Sequence, residues 1–340
     1  MMERVKFGVV GLGNLGELHI NHLQNRIPEA EVVAVCDVME GRVKEIQEKY
    51  GIADGFTDFD EMIGKAELDA VAIITNVQTH CDLIVKACEK KLHIFCEKPL
   101  SLDLDECKKI EEAVAKNDTK LFTIGFMRRF DPAYADAKKR LEAGEIGKPI
   151  IFKSTACDGI QTIGINLEKA KSGAFHPWFF EMGIHDCDLS RWFLGAEAVE
   201  AFSVCGSYAE PEFAGIKEDA YYDNGFALAR MDNGTAAYIH VGMTAPCADV
   251  EGELIGTEGI IRINAVPRKN RVQILKDGYI SEEGIFDFYE RWGEAFYLEM
   301  KDFIGCIQNG GEPKAGVQDG INSLKMAQML QASYESSKQN

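Results

Sequence analysis

A glycine-rich turn between a short strand and a helix is the feature that most constrains the fold of this chain. The apolar run Lys6–Val10 precedes Gly11-Leu-Gly-Asn-Leu-Gly16, which opens a helical stretch. In the pattern G-x-G-x-x-G, the first glycine permits a tight turn, the second lets backbone approach a pyrophosphate, and the third lets helix and strand pack closely. The N–H groups at the start of the helix can also bind phosphates. The residues expected to contact a dinucleotide here are Gly11, Gly13, Asn14, Leu15 and Gly16.

An acidic residue stands where such a unit meets the ribose of a bound dinucleotide. Asp37 ends the second apolar strand, 21 residues after Gly16, and is expected to accept hydrogen bonds from the adenosine ribose hydroxyls. Its carboxylate would repel a 2′-phosphate, so the sequence favours NAD over NADP. The next residue is Val38 rather than an arginine, which agrees with a preference for NAD. Arg42, however, is close enough in sequence to contact the cofactor, so NADP remains open. A tight turn with a surface aspartate is the structural alternative.

Short apolar runs alternate with helical segments through the first 124 residues. After the first strand, these runs are Glu31–Cys36, Ala70–Ile74, Leu92–Cys96 and Leu121–Ile124. The alternation is typical of a parallel sheet with helices on both faces. Residues 1–124 are therefore predicted to form an NAD-binding Rossmann domain, an α/β fold with a doubly wound parallel sheet.

The pattern changes after residue 125, where strand-like runs follow one another with few helices between them. The predicted strands are 149–156, 198–205, 225–231, 235–243, 252–263 and 271–276. Asp232-Asn233-Gly234 predicts a type I′ hairpin turn between two of these strands. One helix is predicted over 179–193, and helices at about 289–308 and 318–336 finish the chain. Residues 125–340 are thus predicted to form a C-terminal α+β domain with a large, open, mostly antiparallel sheet.

Charge and cysteine usage exclude several classes of function. The 340 residues carry 55 acidic and 37 basic side chains, a net charge of −18, which argues against nucleic acid and anionic membranes as partners. No apolar run is long enough to span a bilayer, and the N-terminus has no signal-type apolar core. The ten cysteines are scattered without a C-x-x-C pair or zinc-finger spacing. We therefore expect a reduced, cytoplasmic protein with free thiols and no metal site.

Polar residues follow two later strands at the edge where such sheets bind ligands. Thr75 and Asn76 end one strand, and His80 begins the next helix, either as a cofactor contact or as a packing residue. The segment Cys96-Glu97-Lys98-Pro99 ends another strand. Burial and a cationic nicotinamide would favour the neutral amine of Lys98 there, which could hydrogen-bond or deprotonate a hydroxyl. An ordinary surface lysine is the alternative.

A histidine flanked by acidic residues marks the predicted helix at 179–193. Glu181, His185 and Asp188 are spaced i, i+4, i+7 and would share one helical face. A carboxylate one turn away can orient the imidazole and stabilise its charge when it accepts a proton. A solvated face with an ion pair, or a metal site, would show the same spacing.

Together these motifs resemble those of the Gfo/Idh/MocA oxidoreductase family, over essentially the whole chain and most closely its inositol and sugar dehydrogenase members. The resemblance rests on Gly11–Gly16, Glu97-Lys98-Pro99, Gly125-Phe-Met-Arg-Arg-Phe-Asp-Pro132 and Gly183-Ile-His-Asp-Cys-Asp188. It implies an NAD-dependent oxidoreductase that oxidises a secondary hydroxyl of a cyclic polyol or sugar to a ketone by hydride transfer. It also implies that the sheet of the second domain packs against another subunit, in a homodimer or homotetramer.

The resemblance further implies roles for single residues. His185 would take the proton from the alcohol, Lys98 would hold and polarise the reacting oxygen, and the carboxylate of Glu181 would complete the set. The peptide bond before Pro99 would be cis. Cofactor contacts would extend to Glu97, Lys98 and Arg128.

Two departures from the family pattern concern the substrate. Members usually carry Asp four residues before the histidine, where this chain has Glu181, and inositol dehydrogenases show a His-Arg-Asn-Pro-like segment where this chain reads Thr155-Ala-Cys-Asp-Gly159. In the aromatic loop 175–180, Trp178 could stack on a sugar ring or pack in the core. The substrate-pocket candidates are Lys98, Asp158, His176, Trp178, Glu181 and His185.

Two other functions remain open from the sequence. The first is a sugar or glycoside oxidoreductase that holds NAD tightly and recycles it. The second is a non-catalytic NAD-binding regulator, against which the retained Lys98 and His185 count.

Overall fold

The computed structural model describes most of the chain, which divides into two compact units. The described residues are 4–117, 120–173, 175–216, 221–246, 248–264, 268–285 and 287–338. The first unit runs to Phe130 and includes Glu294–Leu324, while the second contains Asp131–Gly293 and resumes at Lys325. Cys247, one of the predicted free thiols, lies outside the described residues.

The first unit is built on a six-stranded parallel sheet with the order β3-β2-β1-β4-β5-β6. Its strands are β1 Val5–Val10, β2 Ala30–Cys36, β3 Asp54–Phe56, β4 Ala70–Ile73, β5 His93–Glu97 and β6 Phe122–Gly125. Its helices are α1 Asn14–Asn25, α2 Glu40–Tyr50, α3 Phe59–Lys65, α4 His80–Glu89 and α5 Leu104–Lys116. The predicted doubly wound parallel sheet is confirmed. The prediction lacked β3 and α3, because β3 is a three-residue strand at the sheet edge with no apolar run to mark it.

The second unit contains a six-stranded mixed sheet with the order β12-β11-β7-β10-β9-β8. Its strands are β7 Pro149–Gly159, β8 Ala198–Gly206, β9 Asn224–Met231, β10 Ala236–Ala245, β11 Asp249–Gly256 and β12 Ile260–Asn264. Only β10 and β7 pair in parallel, so the predicted mostly antiparallel sheet is confirmed. The single strand predicted over 252–263 is wrong, because the chain reverses between β11 and β12. A separate hairpin pairs β13 Arg268–Lys276 with β14 Tyr279–Gly284.

Helices cover one face of this mixed sheet. They are α6 Pro132–Glu142, α8 Trp178–Glu181 and α9 Gly183–Leu194, whereas α7 Ile163–Lys171 packs beside the short turns at 160–162 and 211–215. Phe193 on α9 packs on Phe152 of β7, with ring centroids 5.0 Å apart, and on Tyr134 of α6 at 6.4 Å. α9 is buried along nearly its whole length, so polar residues on it are held in fixed positions.

The chain closes with two long helices, α10 Phe288–Asn309 and α11 Val317–Ser337. Phe303 of α10 is buried against the parallel sheet, 6.3 Å from the rings of both Phe7 and Phe95. Glu294–Leu324 therefore packs with the first unit, although residues 125–340 were expected to form the second domain.

The hairpin between β9 and β10 exists as predicted, but its turn type is wrong. Gly234 has a φ of +85°, whereas Asn233 does not have a positive φ, which a type I′ turn requires at both central residues. The N–H of Gly234 donates to the carbonyl of Met231, and the N–H of Met231 donates to the carbonyl of Thr235. This is a three-residue loop that ends in a glycine bulge.

We expect Gly234→Ala to destabilise the protein by about 1 kcal/mol, because a β-carbon disfavours the left-handed conformation. The melting temperature should fall by about 2–4 °C in scanning calorimetry. Gly64→Ala in α3 is the matched control, because a β-carbon meets no atom within 4 Å at either position but Gly64 does not have a positive φ. An unchanged melting temperature in Gly234→Ala would contradict the bulged turn.

Candidate functional site

The glycine turn after β1 gives each of its three glycines a different environment. Gly11 has a φ of +90°, and a β-carbon there would collide with the carbonyl of Ile74. A β-carbon on Gly16 would collide with the carbonyl of Gly11, so the helix could not pack on the turn. A β-carbon on Gly13 would meet no protein atom within 4 Å. The turn and helix thus need Gly11 and Gly16 for folding, and Gly13 leaves open space above the backbone.

Helix α1 begins at this open space. Gly13 is its N-cap and supplies no side-chain hydrogen bond to the first-turn N–H groups. Asn14 is exposed, and Leu15 packs against the core of the unit. Free N–H groups at a helix start attract anions, and the absent β-carbon at Gly13 lets a pyrophosphate approach them. The residues therefore fit the diphosphate of a dinucleotide.

Asp37, just after β2, is tied to the same turn. Its Oδ2 accepts the N–H of Leu12 at 2.8 Å, and its Oδ1 accepts the N–H of Met39 at 2.9 Å. A carboxylate has about four acceptor sites, so this half-buried group keeps capacity for ribose hydroxyls. Its position at the carboxyl end of β2, beside the glycine turn, is the position expected from the sequence.

Arg42 is engaged by protein groups in this structure. Its guanidinium donates to the carbonyl of Leu12 at 2.6 Å, pairs with Glu45 at 2.7 Å, and forms an ion pair with Glu17. The hydrogen bond to Glu45 raises the pKa of Arg42, and a hydrogen bond from Lys49 lowers the pKa of Glu17. This cation is thus neutralised by carboxylates, and a 2′-phosphate near Asp37 would meet negative charge.

The turn after β4 is fixed by a buried histidine. His80 Nδ1 lies 2.9 Å from the carbonyl oxygen of Pro99, and its Nε2 lies 3.1 Å from that of Thr75. Burial lowers the pKa of His80. A neutral imidazole has one N–H, so the side chain donates to one of these carbonyls and packs against the other. This is the packing role that the sequence left open. Thr75 is half-buried and Asn76 is exposed at the same sheet edge.

The segment after β5 holds Lys98 between two buried residues. Glu97 Oε2 accepts the backbone N–H of Lys98 at 3.2 Å, and Glu97 Oε1 lies 3.0 Å from Nε2 of His19. The Lys98–Pro99 peptide bond is cis, as the family resemblance implied. Lys98 itself is half-buried. His19 was not predicted as a site residue from the sequence, although a histidine on the buried face of α1 could have indicated it.

Two consecutive arginines follow β6 in a short 3₁₀ helix, Met127–Phe130. Arg129 is buried and binds Asp319 at 2.8 Å and the carbonyl of Lys314 at 2.5 Å, which attaches the start of α11 to this unit. Arg128, the predicted cofactor contact, is also buried. The run thus carries one arginine with a structural role and one at the carboxyl end of β6.

The helix predicted over 179–193 is interrupted at Met182, because α8 ends at Glu181 and α9 begins at Gly183. Met182 itself keeps helical backbone angles. Glu181 Oε1 accepts the backbone N–H of His176 at 2.9 Å. His185 and Asp188 are both buried on α9.

The aromatic loop before α8 packs tightly in this unit. Trp178 is 2% exposed, and its ring meets that of Phe175 edge to face with centroids 5.1 Å apart. This geometry corresponds to core packing, one of the two alternatives for Trp178. His176, in the same loop, is partly buried, as is Asp158 near the end of β7.

Two adjacent tyrosines hold this loop, and sequence reasoning missed both. Tyr221 donates its hydroxyl to the carbonyl of Phe175 at 2.6 Å, and Tyr222 accepts the N–H of Phe179 at 3.1 Å. Tyr222 also donates to Gln331 at 3.2 Å. Burial raises the pKa of Tyr222, so its hydroxyl remains a donor. No spacing motif marks such contacts.

A cysteine and a histidine also meet on the mixed sheet. Cys157 Sγ lies 3.6 Å from Nε2 of His240, which lies 3.2 Å from Oδ1 of Asn224. Burial raises the pKa of Cys157 to about 12 and lowers that of His240. The thiol is therefore protonated at neutral pH, and the cluster is not an activated nucleophile.

Neither a metal site nor a membrane-spanning helix is present in the part of the chain that the structure describes. Among the described residues, no group of three or more His, Cys, Asp or Glu side chains could hold a metal ion. No helix in the same part of the chain has the length and apolar composition needed to cross a bilayer.

Comparison with known proteins identifies relatives of both halves of the chain. Residues 5–126 match a family model described as an oxidoreductase family with an NAD-binding Rossmann fold, and residues 134–262 match the GFO/IDH/MocA C-terminal domain. The chain is 38% identical to the scyllo-inositol 2-dehydrogenase (NAD(+)) of Bacillus subtilis, over 92% of this chain and 89% of the relative. It is 31% identical to the myo-inositol 2-dehydrogenase of Thermotoga maritima, over 97% and 96%.

A solved structure shares the fold along nearly the whole chain. It is the scyllo-inositol dehydrogenase of Lactobacillus casei with bound NAD(H) and scyllo-inositol, which is 31% identical. The TM-score is 0.94, and 98% of each chain is covered.

The different environments of the glycines predict separable effects of substitution. Gly13→Ala should keep the melting temperature but weaken NADH binding by about 10- to 100-fold, because a methyl group displaces phosphate from charge-assisted hydrogen bonds. Gly16→Ala should instead destabilise the fold by about 1–3 kcal/mol through its collision with Gly11. Fluorescence titration with NADH and thermal melting measure the two effects. Loss of stability in Gly13→Ala, or unchanged affinity, would refute this separation.

Proposed function

This chain belongs to the Gfo/Idh/MocA oxidoreductase family, and we propose that it is an inositol dehydrogenase with scyllo-inositol or myo-inositol as its substrate. It is an NAD-dependent enzyme that oxidises a secondary hydroxyl of a cyclic polyol to a ketone. The carboxyl edge of the parallel sheet carries this proposal, since the open turn at Gly13, the ribose acceptor Asp37 and the turn of Lys98 all follow strands there. The relatives named above support inositol as the polyol.

We propose that Lys98 and His185 bind the reacting hydroxyl and remove its proton. When bound, NAD accepts a hydride from the substrate carbon at its nicotinamide ring. Lys98 would hold and polarise the reacting oxygen, and His185 would take its proton as the general base. A buried histidine on a rigid helix suits this role, because its ring cannot reorient freely.

Glu181 would act on the substrate pocket through its loop. Family members usually carry Asp at this position, and the longer side chain of Glu181 reaches the N–H of His176. Asp158 and His176 are proposed as further pocket residues. The β7 segment Thr155–Gly159, which contains Asp158, differs from the one expected in inositol dehydrogenases, so discrimination among inositols would lie there. The cofactor contacts proposed besides the glycine turn are Asp37, Arg42, Thr75, Asn76, Lys98 and Arg128. His80 and Glu97 are instead engaged by buried protein partners.

These roles assign different functions to the two parts of the chain. We propose that residues 1–124 bind NAD and that residues 125–340 bind the substrate and form the oligomer. We also propose a cytoplasmic location, because the nine cysteines in the described residues are all free thiols.

A substrate panel tests the proposed function. NADH absorbance should report turnover with scyllo-inositol or myo-inositol at the highest kcat/KM among inositols, aldoses and glycosides, with NAD preferred over NADP. Lys98→Ala and His185→Ala should each lower kcat by about 10²- to 10⁴-fold, because each removes a group that handles the proton.

Controls separate the remaining possibilities. Lys91→Ala, an exposed lysine before β5, should leave kcat unchanged, and the two inactive variants should still bind NADH. No signal with any polyol or sugar would contradict the proposal. Stoichiometric NAD released from heat-denatured protein, seen by mass spectrometry, would instead favour the recycling enzyme.

The outer face of the mixed sheet supports the proposed homo-oligomer. Phe202 on β8 pairs across the sheet with Leu228 on β9, which pairs with Tyr238 on β10. Phe202, Val204 and Leu228 are exposed on this face. A contiguous apolar surface of this kind marks a protein interface, and a second copy of the same sheet would cover it symmetrically.

We expect Phe202→Glu to reduce the oligomer to a smaller species in size-exclusion chromatography with light scattering, because it buries a charge in the interface. Ile165→Glu on α7 is the matched control, since Phe202 and Ile165 are both 63% exposed. An unchanged mass in Phe202→Glu, or an equal loss in Ile165→Glu, would argue against this interface.

A further inference from the structure

The Glu97 side chain links the lysine turn to the nucleotide-binding helix. One of its oxygens accepts the N–H of Lys98 at 3.2 Å, and the other lies 3.0 Å from Nε2 of His19. Glu97 is 4% exposed and His19 is fully buried. A buried carboxylate depends on protein hydrogen bonds in place of water, so its orientation is set by these partners.

His19 is itself held by aromatic rings. Its ring lies 5.1 Å from that of Phe95 on β5 and 5.4 Å, edge to face, from that of Phe296 on α10. Both contacts are within the first unit. The imidazole therefore cannot turn away from Glu97 without breaking packing around it.

The neighbouring strand confines the carboxylate from the other side. Gly125 of β6 is the register partner of Glu97. A β-carbon at Gly125 would lie 2.9 Å from Oε2 of Glu97, so only glycine leaves the carboxylate in its present position.

A second buried histidine holds the residue after the lysine. His80 contacts the carbonyl of Pro99 at 2.9 Å, as described above. The residues on both sides of Lys98 therefore each have a histidine partner, while the lysine side chain remains half-buried.

We propose that His19 is a positioning residue for Lys98, an inference that rests on the proposed function. By fixing Glu97, His19 fixes the backbone from which the Lys98 amine reaches the reacting oxygen. A misplacement of about 1 Å at a reacting group can lower the rate about 100-fold. His19 acts through Glu97 and has no contact of its own with substrate in this proposal.

The test compares His19→Leu, which leaves Glu97 without its partner, with His19→Gln, which restores an N–H near the position of Nε2. His22→Leu is the matched control. His22 is a buried histidine of the same helix that faces Tyr297, with ring centroids 6.0 Å apart. The measurements are kcat, KM for the inositol, the Kd for NADH, and amide hydrogen exchange of the peptide that contains Lys98.

We expect His19→Leu to lower kcat by about 10- to 100-fold, with KM and the Kd for NADH changed by less than about threefold. Exchange at Lys98 should become faster, because Glu97 no longer holds its N–H. His19→Gln should recover most of kcat, and His22→Leu should keep kcat within about twofold and leave exchange at Lys98 unchanged.

Equal losses of kcat in His19→Leu and His22→Leu, or no recovery in His19→Gln, would overturn the proposal. If His19→Leu does not fold, Gly125→Ala decides, since it displaces Glu97 from the other side, and an unchanged kcat would overturn the proposal. An active Lys98→Ala would instead defeat the proposed function. If Lys98→Ala is inactive and His19→Leu keeps its kcat, the positioning role of His19 is contradicted and the proposed function still holds.

Discussion

The packing at the carboxyl edge of the parallel sheet depends on close contacts with backbone atoms at its glycines. Gly11 lies against the carbonyl of Ile74, and Gly16 lies against the carbonyl of Gly11. Further along the same edge, Gly125 leaves just enough room for the Glu97 carboxylate. The turn after β1 thereby packs directly on the end of β4 and on the start of α1. This packing sets the positions of the start of α1 and of the Lys98 turn within the unit.

Hydrogen bonds from backbone N–H groups orient the polar side chains at the same edge. Asp37 is oriented by the N–H groups of Leu12 and Met39, and Glu97 by that of Lys98. A carboxylate with fixed orientation loses little entropy when it binds a ligand. The second unit uses a similar device, since its aromatic loop is held by the hydroxyls of Tyr221 and Tyr222.

Sequence predicts those parts of the structure whose determinants are local. The glycine turn and the parallel strands are marked by motifs and apolar runs, and both were predicted. The type I′ turn was not correct, because Asn-Gly allows two loop conformations and Gly234 alone takes the positive φ. The break between Glu181 and Gly183 was also missed, since residue spacing on a helix says nothing about where the helix ends.

Contacts between distant residues account for most of what the sequence did not predict. His19 and Glu97 are 78 residues apart, and Phe175 and Tyr221 are 46 apart. No periodicity links such pairs. The return of Glu294–Leu324 to the first unit is a similar case, because an amphipathic pattern identifies an apolar face without naming the sheet that it covers.

The neutralised guanidinium of Arg42 has an evolutionary consequence. A cation already stands five residues after Asp37, in the first turn of α2, and the carboxylates of Glu17 and Glu45 mask it. A lineage that lost those acids and Asp37 would expose a positive charge to the ribose without acquiring any new basic residue. A change of preference toward the phosphorylated dinucleotide would therefore need removal of negative charge rather than a new basic residue.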